Sequence, residues 1–140
     1  KIMAAGRYSF VIEQGATTDF EVAYNDSTGT PVDLTGYQAR MQIRSNYGSS
    51  GTLYLTLSSS LDSCGMGLNL SGSQTSTGYP KPLSSGSIGV YITGYSSSFL
   101  DFNEAYYDLE LISGSGHCAT VTRLLEGKIQ LSKEVTLGNY

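Results

Sequence analysis

One histidine, two cysteines and a scatter of carboxylates are the residues here that could do chemistry, and their spacing argues against most of it. Hydrolysis through a Ser or Cys nucleophile needs a base beside it and a third group orienting that base. His117 stands in Ser113-Gly114-Ser115-Gly116-His117, a run of turn formers, and no Gly-x-Ser-x-Gly elbow lies between a strand and a helix. It reads as an exposed turn residue, and no catalytic residue is named. Cys64, His117 and Cys118 supply at most three zinc ligands, two of them adjacent in sequence, so no metal or cofactor is expected. The same two cysteines are too few for a disulfide framework; they could be bridged or both free, two buried thiols being the favoured reading. Asp19, Glu21, Asp33, Asp101, Glu104, Asp108 and Glu110 are spaced singly. A glycosidase pair needs only proximity in space, but solvated strand faces and loop caps are by far the better account of these residues. Ser84-Ser85-Gly86-Ser87-Ile88-Gly89 leads into a strand rather than a helix and reads as a turn, without the helix N-terminus a phosphate loop uses. The chain is expected not to be an enzyme.

The elements that must position these residues are strands. Tyr106-Tyr107-Asp108-Leu109-Glu110-Leu111 alternates apolar and polar with period two, and the Gly/Ser run after Ile112 reverses the chain into a return strand within Ala119–Thr136. The phase of that return blurs at Leu124-Leu125 and points to a bulge or sheet switch near Gly127. Upstream, Arg7–Glu13 alternates with Tyr8, Phe10 and Ile12 inward, and Thr18–Tyr24 with Phe20, Val22 and Tyr24 inward, followed by a hairpin-type loop over Asn25–Pro31. Gln38-Ala39-Arg40-Met41-Gln42-Ile43-Arg44 is the cleanest alternation, with Gln38, Arg40, Gln42 and Arg44 outward. Leu53, Leu55 and Leu57, then Met66, Leu68 and Leu70, then Ile88, Val90 and Ile92 mark three more strands. The polar stretch from Ser71 to Ser87 carries no periodic signal and reads as a long loop. Ser96–Phe102 is the one candidate helical turn, its aromatic residues plugging one end of the core.

Seven to nine short strands at roughly ten-residue spacing predict an all-β fold, an antiparallel immunoglobulin-like β-sandwich. Without Trp, and without a cysteine pair on facing strands, antibody-type hallmarks are missing. The 140 residues suit one domain, with residues 1–6 as an extended N-terminal arm. Only 14% of residues are charged and the net charge is −4, so the clustered Lys and Arg that phosphate contacts require are absent and nucleic acid is not an expected partner. No apolar run approaches the roughly 20 residues that cross a bilayer, and the first residues lack a secretory layout. A soluble protein with no membrane partner is expected.

Eleven tyrosines stand out against this background, because Tyr gives large amphipathic contact area at low entropic cost. Tyr47, Tyr54, Tyr79, Tyr91, Tyr95, Tyr106 and Tyr140 fall in loops or on polar phases. From these and the third strand, an interface set is expected at Gln38, Arg40, Gln42, Arg44, Tyr79, Tyr91, Tyr95 and Tyr106, the arginine face being open to an acidic neighbour but read first as a plain solvated face.

Met3-Ala4-Ala5-Gly6-Arg7-Tyr8-Ser9-Phe10 with Glu13-Gln14-Gly15-Ala16-Thr17, then Asp33-Leu34-Thr35-Gly36-Tyr37 running into Gln38–Arg44, then Tyr107-Asp108-Leu109-Glu110-Leu111 and Arg123-Leu124-Leu125-Glu126-Gly127, resemble small virion structural proteins of tailed bacteriophages. More loosely, they are similar to the immunoglobulin-like N-terminal domain of phage baseplate upper proteins. These segments cover about half the chain; Ser45–Leu100 departs from the pattern. The resemblance implies a non-enzymatic tail, baseplate or fibre-attachment component. It would be made in the host cytoplasm and docked in symmetric copies, with other virion structural proteins and copies of itself as partners. An edge strand or a Tyr-rich face would supply the contact. A capsid decoration protein and a carbohydrate- or receptor-binding module are the alternatives.

Overall fold

Strands with one apolar face are stable only when a second layer covers that face. The computed structural model describes residues 6–48, 50–71 and 86–136. In them nine strands form two sheets: β1 (Gly6–Arg7), β2 (Phe10–Glu13), β3 (Thr18–Ala23), β4 (Gln38–Arg44), β5 (Leu53–Ser58), β6 (Gly67–Leu70), β7 (Ser87–Ile92), β8 (Glu104–Ser113) and β9 (Thr120–Ser132). The larger sheet runs β5-β4-β8-β9, with β1 and β2 following one another along the free side of β9; the smaller runs β3-β7-β6. That is the strand order of an immunoglobulin-like sandwich. Inward residues of both sheets, among them Ile12, Met41, Ile43, Leu57, Leu109 and Ile129 on one side and Leu68, Leu70, Ile88, Val90 and Ile92 on the other, merge into one buried cluster. Removing each such side chain from water stabilises the fold by about 1.5–3 kcal/mol.

The expected antiparallel arrangement holds for every pairing except those of β1 and β2, which run parallel to β9, Phe10 opposite Ile129 and Ile12 opposite Leu131. Strands at opposite ends of the sequence share no turn, so nothing local dictates their direction. The single strand expected over Arg7–Glu13 is interrupted at Tyr8-Ser9, and Tyr8 is 45% exposed rather than in the core. Its carbonyl is drawn to Tyr107, whose phenol donates to it at 2.5 Å. The carbonyl rests where a side chain at position 127 would begin: a Cβ on Gly127 would collide with that oxygen, far inside van der Waals contact. Gly127 therefore serves close approach of the chain at Tyr8, and the expected bulge falls at the blurred phase itself, where Leu109 faces Leu125 but Glu110 faces Arg123, leaving Leu124 as the extra residue.

A second register shift, beside Arg44, explains why Leu53 is exposed while Tyr54 stacks on Phe102 at 4.7 Å, away from any partner surface. The Asn25–Pro31 loop closes like a hairpin, with a bridge between its ends, but it carries the chain from the smaller sheet to the larger. The helical turn, α1 (Gly94–Ser98), begins two residues before the expected span; Phe102 does plug the core, whereas Phe99 is 70% exposed. Buried Ser97 locks this turn to the one between β2 and β3, accepting from the Gly15 amide at 3.0 Å and donating to the Ala16 carbonyl at 2.9 Å. Both cysteines are free and exposed, which corrects the expectation of buried thiols: Cys64 lies in a loop held by the Asp62 carboxylate and Cys118 in a one-turn 3-10 helix. His117 is exposed in that same turn. Residues 1–5 of the expected arm, most of the Ser71–Ser87 stretch, Tyr79 and Tyr140 lie outside the described residues, and Gly6 already belongs to β1.

Candidate functional site

Pairing of β4 with β8 and of β8 with β9 sets the polar phases of three strands in cross-strand rows on the outer face of the larger sheet. Arg40 stands beside Glu110 and then Arg123, Gln42 beside Asp108 and then Glu126, and Arg44 beside Tyr106 and then Lys128. The loop after β4 rises over this face with Asn46 and Tyr47, closing one side of a groove of about 420 Å³ lined by Arg40, Gln42, Arg44, Tyr106, Asp108, Glu110 and Arg123. Tyr47 packs on Tyr106 with ring centroids 4.7 Å apart, and the Lys128 ammonium sits 5.8 Å from the same Tyr106 ring.

The charges of the groove are paired internally. Arg40 Nε donates to Glu110 Oε1 at 2.7 Å, and Arg123 reaches both Asp108 and Glu126 at 3.5 Å. Arg7 approaches Glu126 at 3.4 Å from β1, and Lys128 approaches Glu104 at 3.5 Å. Arg44 is held by Gln42 Oε1, which accepts from Nε and Nη2 at 3.1 and 3.0 Å, and by the Gly51 carbonyl at 3.1 Å. These pairs tie the arginines to the sheet face, while the side chains of Arg40 and Arg123 stay about half exposed.

Asp108 is the least well served of these groups. Burial, then the neighbouring Glu110 and Glu126 carboxylates, push its pKa above the ordinary carboxylate range, against the opposing pull of Arg123 and Arg40. A carboxyl raised in this way stabilises the fold while protonated and loses that contribution as pH rises through its folded pKa. Asp108→Asn is accordingly expected to unfold at a higher temperature than the native chain at pH 7, with the difference vanishing at pH 3, where the native carboxyl is itself neutral. Paired melts at the two pH values check this.

Of the interface set read from sequence, Arg40, Gln42, Arg44 and Tyr106 come together in the groove, while Gln38 lies exposed at the far end of β4 opposite Ile112. Tyr91 belongs to the other sheet, on β7 opposite Gly67, and Tyr95 to α1, edge-on against Phe99 at 5.0 Å. Asn46, Tyr47, Asp108, Glu110 and Arg123 line the groove without belonging to that set. Alternation already puts Asp108 and Glu110 on one face with Tyr106, but joining that face to Arg40 needs the pairing register. Asp108 and Glu110, two residues apart on one strand face and so about 7 Å along it, are two carboxylates sharing one groove. Among the described residues no group of three or more His, Cys, Asp or Glu could hold a metal ion.

A second concave feature lies where β2 and β3 bring edges of the two sheets together. On its side away from β9, β2 has no ladder partner among the described residues. The cleft between β2 and β3, about 400 Å³, is lined by Tyr8, Phe10, Val11, Glu13, Thr18 and Phe20. Phe10 and Phe20 pack at 4.9 Å, Tyr8 lies within 6 Å of both, and Val11 is 53% exposed.

No protein-family model matches the chain, and no curated protein sequence does either. Its fold class rests on its own strands. No helix among the described residues is long and apolar enough to cross a membrane.

Proposed function

We infer that this chain is a non-enzymatic virion structural protein of a tailed bacteriophage, a tail, baseplate or fibre-attachment component that assembles in symmetric copies with itself and with other virion proteins. The observation that carries the assembly reading is the outer edge of β2, which has no ladder partner on that side among the described residues and flanks an aromatic cleft beside exposed Tyr8 and Val11. Unpaired backbone donors and acceptors are a template for another chain, and an apolar strip beside them supplies the affinity that hydrogen bonds alone do not. The phage assignment itself rests on the resemblance of the two ends and the third strand. The carboxylate pair in the outer groove does not count strongly for catalysis, because Glu110 is tied to Arg40 at 2.7 Å.

Fractionating virions into heads and tails tests the location: the protein is expected with tails at a few to a few tens of copies, and recovery with heads in hundreds of copies would favour a capsid decoration protein. Val11→Asp tests the surface. At an exposed edge it should change stability by no more than about 0.5 kcal/mol, yet block incorporation into tails; a variant that incorporates normally would remove the edge from the account. Release of reducing ends from an oligosaccharide would overturn the non-enzymatic reading.

A further inference from the structure

We propose that the groove on the outer face of the larger sheet is a binding site for a neutral saccharide of one or two rings. Its volume of about 420 Å³ falls within the range of small-molecule sites. One wall is aromatic and fixed in place. Tyr47 rests on Tyr106, Tyr106 is backed by Lys128, and Tyr47 remains 56% exposed, so its ring can take the apolar C–H face of a pyranose.

The other lining groups carry unused hydrogen-bonding capacity of the planar, two-pronged kind that vicinal hydroxyls match. Arg40 engages Glu110 through Nε alone, leaving both terminal nitrogens. Gln42 gives its oxygen to the Arg44 fork and keeps its amide nitrogen, and Asn46 gives its oxygen to the Tyr47 amide and keeps its own. Among the described residues Asp108 is paired with Arg123 at 3.5 Å, beyond a short hydrogen bond, which leaves its carboxylate capacity to accept from a hydroxyl.

Charge selects against ionic ligands. Arg40, Arg44 and Arg123 are offset by Asp108, Glu110 and the adjoining Glu126, so neither sign of ligand charge gains a net attraction. Retaining Asp108 in a place that disfavours its ionised form is a cost to the fold, of the kind functional sites carry. The groove is separate from the β2–β3 cleft, so this inference does not rest on the assembly reading and can fail without it.

Saturation-transfer NMR on the full chain with maltotriose, cellotriose, chitotriose and lactose, and with sialyllactose as the anionic probe, tests the proposal. At least one neutral saccharide is expected to bind at millimolar concentration. Tyr47→Ala and Asp108→Asn are each expected to weaken that binding about tenfold or more, with circular dichroism melts showing both variants folded. No neutral saccharide bound, sialyllactose alone bound, or affinity unmoved by both substitutions would overturn it.

Discussion

Gly127→Val is expected to destabilise the protein by about 3 kcal/mol or more and to lower its melting temperature by roughly 10 °C. The reason is the stack of groups over this one position. A Cβ there would collide with the Tyr8 carbonyl oxygen, meet its carbon at 2.8 Å and crowd the Tyr107 ring at 3.3 Å. A backbone carbonyl tied to a core phenol cannot yield alone, so β1 and β2 must leave β9 and expose Ile12, which is fully buried. Urea denaturation of both proteins measures the loss. The companion change Tyr107→Phe removes only the phenol bond to Tyr8 and should cost about 1 kcal/mol. It also alters the pH response. Burial first, then the nearby Tyr8, pushes the Tyr107 phenol above its ordinary value, so the neutral phenol's contribution is intact below pH 10 and declines as pH rises above that. Between pH 10 and 11 the native chain should lose stability faster than Tyr107→Phe; equal slopes would show that the buried phenol does not contribute.

Local alternation makes most of the strands legible in the sequence. Gln38–Arg44 and Tyr106–Leu111 declare their inner and outer faces by residue type alone, because a period of two has only two phases. What alternation cannot convey is which strand lies beside which. Phe10 and Ile129 are neighbours on parallel strands although well over a hundred residues separate them, and no turn between them sets a direction. Bulges hide a second part. At Leu124 the extra residue shifts the pairing by one, so Arg123 reaches the outer groove from a stretch whose phase looks broken. At Arg44 the same device turns Leu53 outward and Tyr54 toward Phe102. The outer groove is half visible for the same reason: the phases of Arg40, Gln42, Arg44 and Tyr106 are enough to put them on outer faces. Asp108, Glu110 and Arg123 become part of one site only once β4, β8 and β9 are in register. Tyr91 and Tyr95 share a residue type with Tyr106 and nothing else, and type carries no information about which sheet a residue joins.

Leu109→Ala is expected to cost about 3 kcal/mol, within the 2–5 kcal/mol range for emptying a buried leucine site, whereas Glu110→Gln, one residue along, should cost less than about 1 kcal/mol. Leu109 is 1% exposed in the middle of the larger sheet, with Met41 across from it on β4 and Leu125 on β9. Truncation leaves a cavity bounded by strands on both sides, and a central strand paired along both edges cannot move inward to fill it. Glu110 points the other way, into the groove, where it pairs at 2.7 Å with Arg40, whose side chain is 55% exposed, and water screens part of what is lost. The contrast between adjacent positions is the sharpest test of the sandwich, since slipping β8 by one residue against its neighbours would exchange the two costs. Chemical denaturation of the two variants, compared at equal m-values, decides it. A Glu110→Gln loss equal to that of Leu109→Ala would mean that the outer face is covered by another layer, and the groove would then be interior to an assembly rather than open to a ligand.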